Sequence, residues 1–191
     1  MGLDISIGVD NNDDVITAEY LTGEHDYFNQ HSLSRTFCNL MCRDAVIEHE
    51  TELNQISRIT GIDVDPLYLM LEYPNPDELE FLLENAETEE ERQEIMSDAE
   101  NARLELANNI DTVLQTISDL IDRLSNIKDL PKLLIETDFD TLGNNEYFSD
   151  FMLDKGKGYI DNNFGQDLRN FRRFLEYCKA RNSKTVYFYF S

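Results

Sequence analysis

The sequence predicts an α+β fold: a small sheet built from N- and C-terminal strands, packed with helices, plus a long acidic helix or helical hairpin. Three observations carry this. Residues 3–9 alternate apolar and polar, residues 185–190 read Thr-Val-Tyr-Phe-Tyr-Phe, and the region between them is dominated by three-four apolar spacing and helix-capping signals.

Leu3, Ile5, Ile7 and Val9 fall on one face of the first strand. The turn residues Asp10 to Asp14 then precede Val15 to Tyr20, so the expectation here is a β-hairpin. Ser32 or Ser34 caps a helix starting near Arg35, which buries Phe37, Leu40, Met41, Ala45 and Ile47, and Gly61 ends the helical region. Asp65-Pro66 and Asn75-Pro76 each start a short helix, with proline in the first helical position.

Thr88 and Glu91 form a capping box. From it Ala99, Ala102, Leu106, Ile110, Val113, Ile117, Leu120, Leu124 and Ile127 step by three or four, with no breaker between. A helix of that length spans nearly ~60 Å. That exceeds a compact domain of this size, so the helix projects, bends or meets a partner helix. The segment after Pro131 reads equally as strand or helix. Gly143 to Asn145 and Lys155-Gly156-Lys157-Gly158 are loops. A last helix from about Gln166 to Arg181 carries Leu168, Phe171, Phe174, Leu175 and Cys178 inward, and Arg169, Arg172, Arg173 and Lys179 mostly outward. The aromatic terminal strand requires cover, which the N-terminal strand can supply.

The 191 residues, 41% hydrophobic with only eight Gly and four Pro, fit one domain (1–191) with a helical acidic insertion around 66–127. The three cysteines do not suggest a disulfide framework, and no apolar run spans a bilayer, so the expected location is the cytoplasm. Met1-Gly2 fits a loose myristoylation pattern, but the strand periodicity explains the same residues.

Net charge is −23, and it is uneven: residues 155–191 hold eight basic and three acidic side chains. Phosphate repulsion disfavours direct nucleic-acid binding and favours a basic protein partner. The strongest charge pattern is in the middle, where residues 72–105 carry thirteen acids and two bases. Glu87, Glu91, Glu94 and Asp98 there make a stripe of about one carboxylate per 5.4 Å turn, either the contact for a basic partner or a solvated helix face.

All three histidines and two cysteines lie between His25 and His49. On a continuous helix Cys38, Cys42 and His49 share a face, and with His31 they offer four tetrahedral zinc ligands, though no established zinc spacing is matched. The bland reading is chance clustering of core cysteines. A Cys-His nucleophile pair lacks an activating context. Asp10, Asn12 and Asp14 imitate a calcium loop, but Val15 and Leu21 stand where glycine and glutamate are needed. Gly156 and Gly158 lack the rest of a phosphate loop.

The opening Met1-Gly2-Leu3-Asp4, the Asn39-Leu40 segment running to Asp44, Asn163-Phe164-Gly165, Phe174-Leu175-Glu176-Tyr177-Cys178 and the strand ending at Ser191 resemble small phage and prophage proteins. The resemblance covers about a third of the chain and implies no activity or site.

The leading expectation is therefore a non-enzymatic acidic interaction factor, phage or mobile-element encoded, that blocks a basic surface of a partner. The first alternative is a small zinc-binding or hydrolytic enzyme centred on His25 to His49. The second is a structural oligomer joined through Leu106, Ile110, Val113, Ile117, Leu120 and Leu124.

Overall fold

The computed structural model describes residues 5–22, 26–45, 47–74, 76–135 and 144–190, apart from the side chains of 77, 78, 144 and 190. Met1, Gly2, Leu3, Asp4, His25, Asn75, Gly143 and Ser191 lie outside the described residues. The elements are β1 Ile5–Val9, α1 Asn12–Val15, α2 Ala18–Thr22, α3 Tyr27–His31, α4 Arg35–Met41, α5 Glu52–Thr60, α6 Asp65–Leu69, α7 Pro76–Asn85, α8 Glu89–Leu106, α9 Ile110–Leu124, α10 Asn144–Tyr147, α11 Phe164–Lys179 and β2 Val186–Phe190. The fold is α+β: mostly helical, with β1 and β2 in a two-stranded antiparallel sheet.

In that sheet Ile5 faces Phe190, Ile7 faces Phe188 and Val9 faces Val186. Val9, Val186 and Phe188 are buried, as period-two alternation requires of one face. On the other face the Tyr187 ring lies where a Gly8 side chain would begin, so any larger residue at position 8 would displace that ring. Tyr187 also stacks on Tyr73 at 3.6 Å and 8°. The outer edge of β2 is blunted at Val186, whose backbone N–H and C=O both pair with the Asn109 carboxamide at 2.8 Å.

The expected N-terminal hairpin does not form; Val15 to Tyr20 falls instead in α1, α2 and their connection. Asp10 and Asn11 are committed elsewhere. Asp10 accepts from Lys184 N, and the Asn11 side chain donates to Arg181 O and accepts from Ser183 Oγ, which ties the end of β1 to the approach to β2. With those turn residues engaged, β1 pairs with the far end of the chain.

The core lies between α4, α5, α6, α9, α11 and the sheet. α9 and α11 pack on each other, and α5 and α6 pack on α9. Phe37, Phe171 and Phe188 join α4, α11 and β2, with ring centroids 5.7 to 6.4 Å apart. Each is about 1% exposed or less, so truncation of any one to alanine costs about 3–5 kcal/mol.

The long helix expected from Thr88 to Ile127 is two helices. It breaks at Ala107 to Asn109, where Asn108 is left-handed (φ 63°) and Ile110 N donates to Lys184 O. The tertiary bonds of Asn109 to Val186 and of Asn108 N to Thr185 Oγ1 outweigh the local helix preference. Leu106, Ile110, Val113, Ile117, Leu120 and Leu124 are all buried in this chain, and all but Leu106 belong to its main core. Their periodicity is thus explained without a second copy.

The 66–127 segment accordingly divides. Leu67, Met70 and the buried face of α9 are core, whereas no described residue from 72 to 109 belongs to it. α7 and α8 pack on each other as a helical hairpin, with Ala99 and Leu106 its only buried residues among those described.

Candidate functional site

The α7–α8 hairpin is shaped by its termini. Pro76 opens α7 with the fixed φ that a first helical residue needs. Thr88 Oγ1 accepts from Glu91 N at 3.1 Å, and Glu91 Oε2 accepts from Glu87 N at 2.8 Å, a capping exchange displaced by one residue from the expected box. Glu89, Glu90 and Glu91 sit in the first turn of α8, where the helix dipole favours negative charge.

Glu87, Glu91, Glu94 and Asp98 are all exposed. At about 100° per residue, Glu91, Glu94 and Asp98 fall within a ~60° arc on one flank of α8. That arc lies beside the inward face formed by Ala99 and Leu106. Arg103, on α8, approaches Glu100 at 3.9 Å. Glu90 to Glu94 and Glu94 to Asp98 are like-charge pairs at i,i+4, each destabilising by about 0.2–0.5 kcal/mol. Met96 and Leu104 are 60% and 63% exposed, and helical geometry puts them outside the acidic arc.

The candidate zinc ligands sit on different parts of the chain, His31 at the end of α3, Cys38 in α4, Cys42 at its end and His49 beyond it. α4 ends at Met41, so the continuous helix that would align Cys38, Cys42 and His49 is absent. The Cys38 thiol accepts from Ile5 N at 3.2 Å and donates to Ile5 O at 3.6 Å, satisfying the backbone at the start of β1. Cys42 is half-buried, which raises its pKa, and His49 is exposed beyond the helix. Among the described residues no three His, Cys, Asp or Glu side chains come together to hold a metal ion.

His31 instead ends α3 within an aromatic box. Its ring stacks between Tyr20 (5.6 Å, 24°) and Tyr27 (5.9 Å, 15°), with Phe174 and Tyr177 closing the sides at 6.0 and 5.1 Å. Burial, then the positive charges of Arg173 and Arg181, lower its pKa to about 4, so the imidazole is neutral at pH 7.

Asp167 is a buried polar group the sequence reading passed over. It is 0% exposed and accepts from Ser34 N (2.9 Å), Ser34 Oγ (2.6 Å), Tyr147 Oη (2.8 Å) and Asn162 Nδ2 (2.8 Å). Burial raises its pKa against those four donors. A signal existed: Asp167 shares the helix face of Phe164, Leu168 and Phe171, where an unpaired acid would be untenable. Ser34 Oγ also accepts from Phe37 N, so the network locks the start of α4 onto the start of α11. The enclosure and four satisfied bonds make Asp167 a structural clasp.

Fold and surface together define an acidic α+β protein with a charged helical hairpin outside its core. Comparison with family models, curated proteins and solved structures finds no match. Among the described residues no helix is long and apolar enough to cross a membrane.

Proposed function

We propose that this chain is a non-enzymatic interaction factor that occupies the basic, nucleic-acid-binding surface of a partner protein through the acidic flank of the α7–α8 hairpin. One observation carries the reading: residues 76–106 hold twelve acids and two bases, yet no described residue among them joins the core. Their like-charge pairs cost stability that the fold does not need to lose, and a basic partner relieves that repulsion on binding. Glu87, Glu91, Glu94 and Asp98 are the contact, with Glu91 also serving as a cap. The resemblance of the chain ends to small phage and prophage proteins fits a factor carried by a mobile element and acting in the cytoplasm of its host.

The test is affinity capture from host lysate at low and moderate salt. Wild type is expected to retain a basic protein that the four-site reversal (Glu87→Lys, Glu91→Lys, Glu94→Lys, Asp98→Lys) loses. Capture unaltered by the reversal at moderate salt would overturn the assignment.

A further inference from the structure

A cavity of about 770 Å³ opens between β1, α2, α3 and the 159–161 turn, on the side of the His31 box that Tyr27 and Tyr177 do not line. Its volume is that of a small-molecule site. Its wall is rich in rings, including Tyr20, Phe28, Phe174 and Tyr189 together with His31. Tyr159 and Ile160 also line it and are 54% and 51% exposed, an uncovered apolar lip.

The polar content of the wall narrows the occupant. Asn12 Oδ1 and His31 Nδ1 are buried side-chain atoms with no hydrogen-bond partner among the described residues, and both residues line this cavity. His31 is only 5% exposed and its ring is neutral, so one of its two nitrogens carries a lone pair, and in the tautomer protonated at Nε2 that lone pair is on Nδ1, which has no donor among the described residues. A buried acceptor left unpaired is costly, and the cost is removed by a ligand or water that donates to it. Both atoms are closed to water as the side chains stand, so a donor in the cavity reaches them only when those side chains turn toward it. The two charged lining residues, Arg35 and Asp161, have opposite signs and select no net charge.

We propose that this cavity binds a small, neutral, planar aromatic molecule bearing an O–H or N–H donor, its ring against the aromatic wall and its donor toward His31 and Asn12. This site is separate from the acidic hairpin and does not depend on the function proposed for it. The shape selects a ring and the orphan acceptors select the donor, so two probes of equal shape separate the two requirements: phenol carries the donor and toluene lacks it.

The experiment titrates each probe into the isotope-labelled full chain and follows the amide and aromatic resonances. Phenol is expected to give saturable shifts at Tyr20, His31 and Phe174 and to bind about tenfold or more tightly than toluene, as a hydrogen bond to an otherwise unpaired buried acceptor implies. His31→Phe keeps a ring in the Tyr20 and Tyr27 stack and should reduce that preference. If it fails to fold, Asn12→Leu, at a half-exposed position, supplies the same readout. Absence of saturable phenol shifts at these residues, equal binding of phenol and toluene, or a preference that survives the folded variant would each overturn the proposal.

Discussion

Replacing Asp167 by alanine leaves four donors facing a void: Ser34 N, Ser34 Oγ, Tyr147 Oη and Asn162 Nδ2. A buried donor that loses its acceptor costs about 1–3 kcal/mol, but the two hydroxyls can turn and the carboxylate no longer has to be desolvated. The net loss is therefore expected at about 3–5 kcal/mol, typical of breaking a buried polar network. Asp167→Asn is milder. Its amide can donate to Ser34 Oγ and Tyr147 Oη while its oxygen keeps Ser34 N and Asn162, so about 1–2 kcal/mol is expected. The pH dependence adds a second check. Because burial raises the Asp167 pKa, the folded state holds this proton more tightly than the unfolded chain. That contribution is fully present below the unfolded value of about 3.9 and is lost as pH rises through the raised folded value. The Asn variant lacks it, so the gap between wild type and Asp167→Asn should narrow with rising pH across that window, the other carboxylates being common to both. Urea unfolding at successive pH values measures all of this. An alanine penalty below about 1 kcal/mol, or a gap that widens with pH, would refute the clasp.

Three further outcomes follow from the same structure. The His31 imidazole should stay neutral until near pH 4, as an NMR titration would read; because its folded pKa is lowered, up to about 3 kcal/mol of stability is lost as pH falls from about 6.5 toward 4. Gly165→Ala places a methyl group against the Phe151 carbonyl oxygen, a backbone atom unable to give way easily, and should cost about 1–3 kcal/mol by thermal or urea unfolding. Excising residues 76–106 and joining the ends with a flexible linker should leave a folded protein with unchanged near-ultraviolet circular dichroism, since no described residue among them belongs to the core; collapse of the signal would show that the hairpin is structural.

The sequence was most readable where periodicity and capping act locally. The α11 face of Leu168, Phe171, Phe174, Leu175 and Cys178 is buried as its spacing predicts, Ser34 and Thr88 cap α4 and α8, and Gly61 ends α5 in a left-handed conformation. The pairing of the two terminal strands was also legible, because an aromatic strand such as 186–190 needs cover. What failed depended on distant partners. Nothing local marks Asp10 and Asn11 as partners of residues 181–184, so the turn before Val15 looked like a hairpin turn. The break at Asn108 has no proline or glycine and is fixed by bonds to Thr185 and Val186, 77 residues away. The alignment of Cys38, Cys42 and His49 on one face assumed a continuous helix, and α4 ends at Met41. The cavity beside His31 was not foreseeable at all, because its walls come from six separate stretches of chain: 5–7, 12–21, 28–38, 159–161, Phe174 and Tyr189.

The most direct test of the hairpin as the partner-binding element compares two variants of equal charge. One reverses Glu87, Glu91, Glu94 and Asp98 to lysine; the other reverses Asp13, Asp14, Glu48 and Asp122, four exposed acids elsewhere. Affinity of each for the captured basic partner is measured at the same moderate salt. Loss of binding in the first variant with retention in the second is the predicted result. Equal weakening of both would show that the partner responds to overall charge, and would contradict a defined contact on α7–α8.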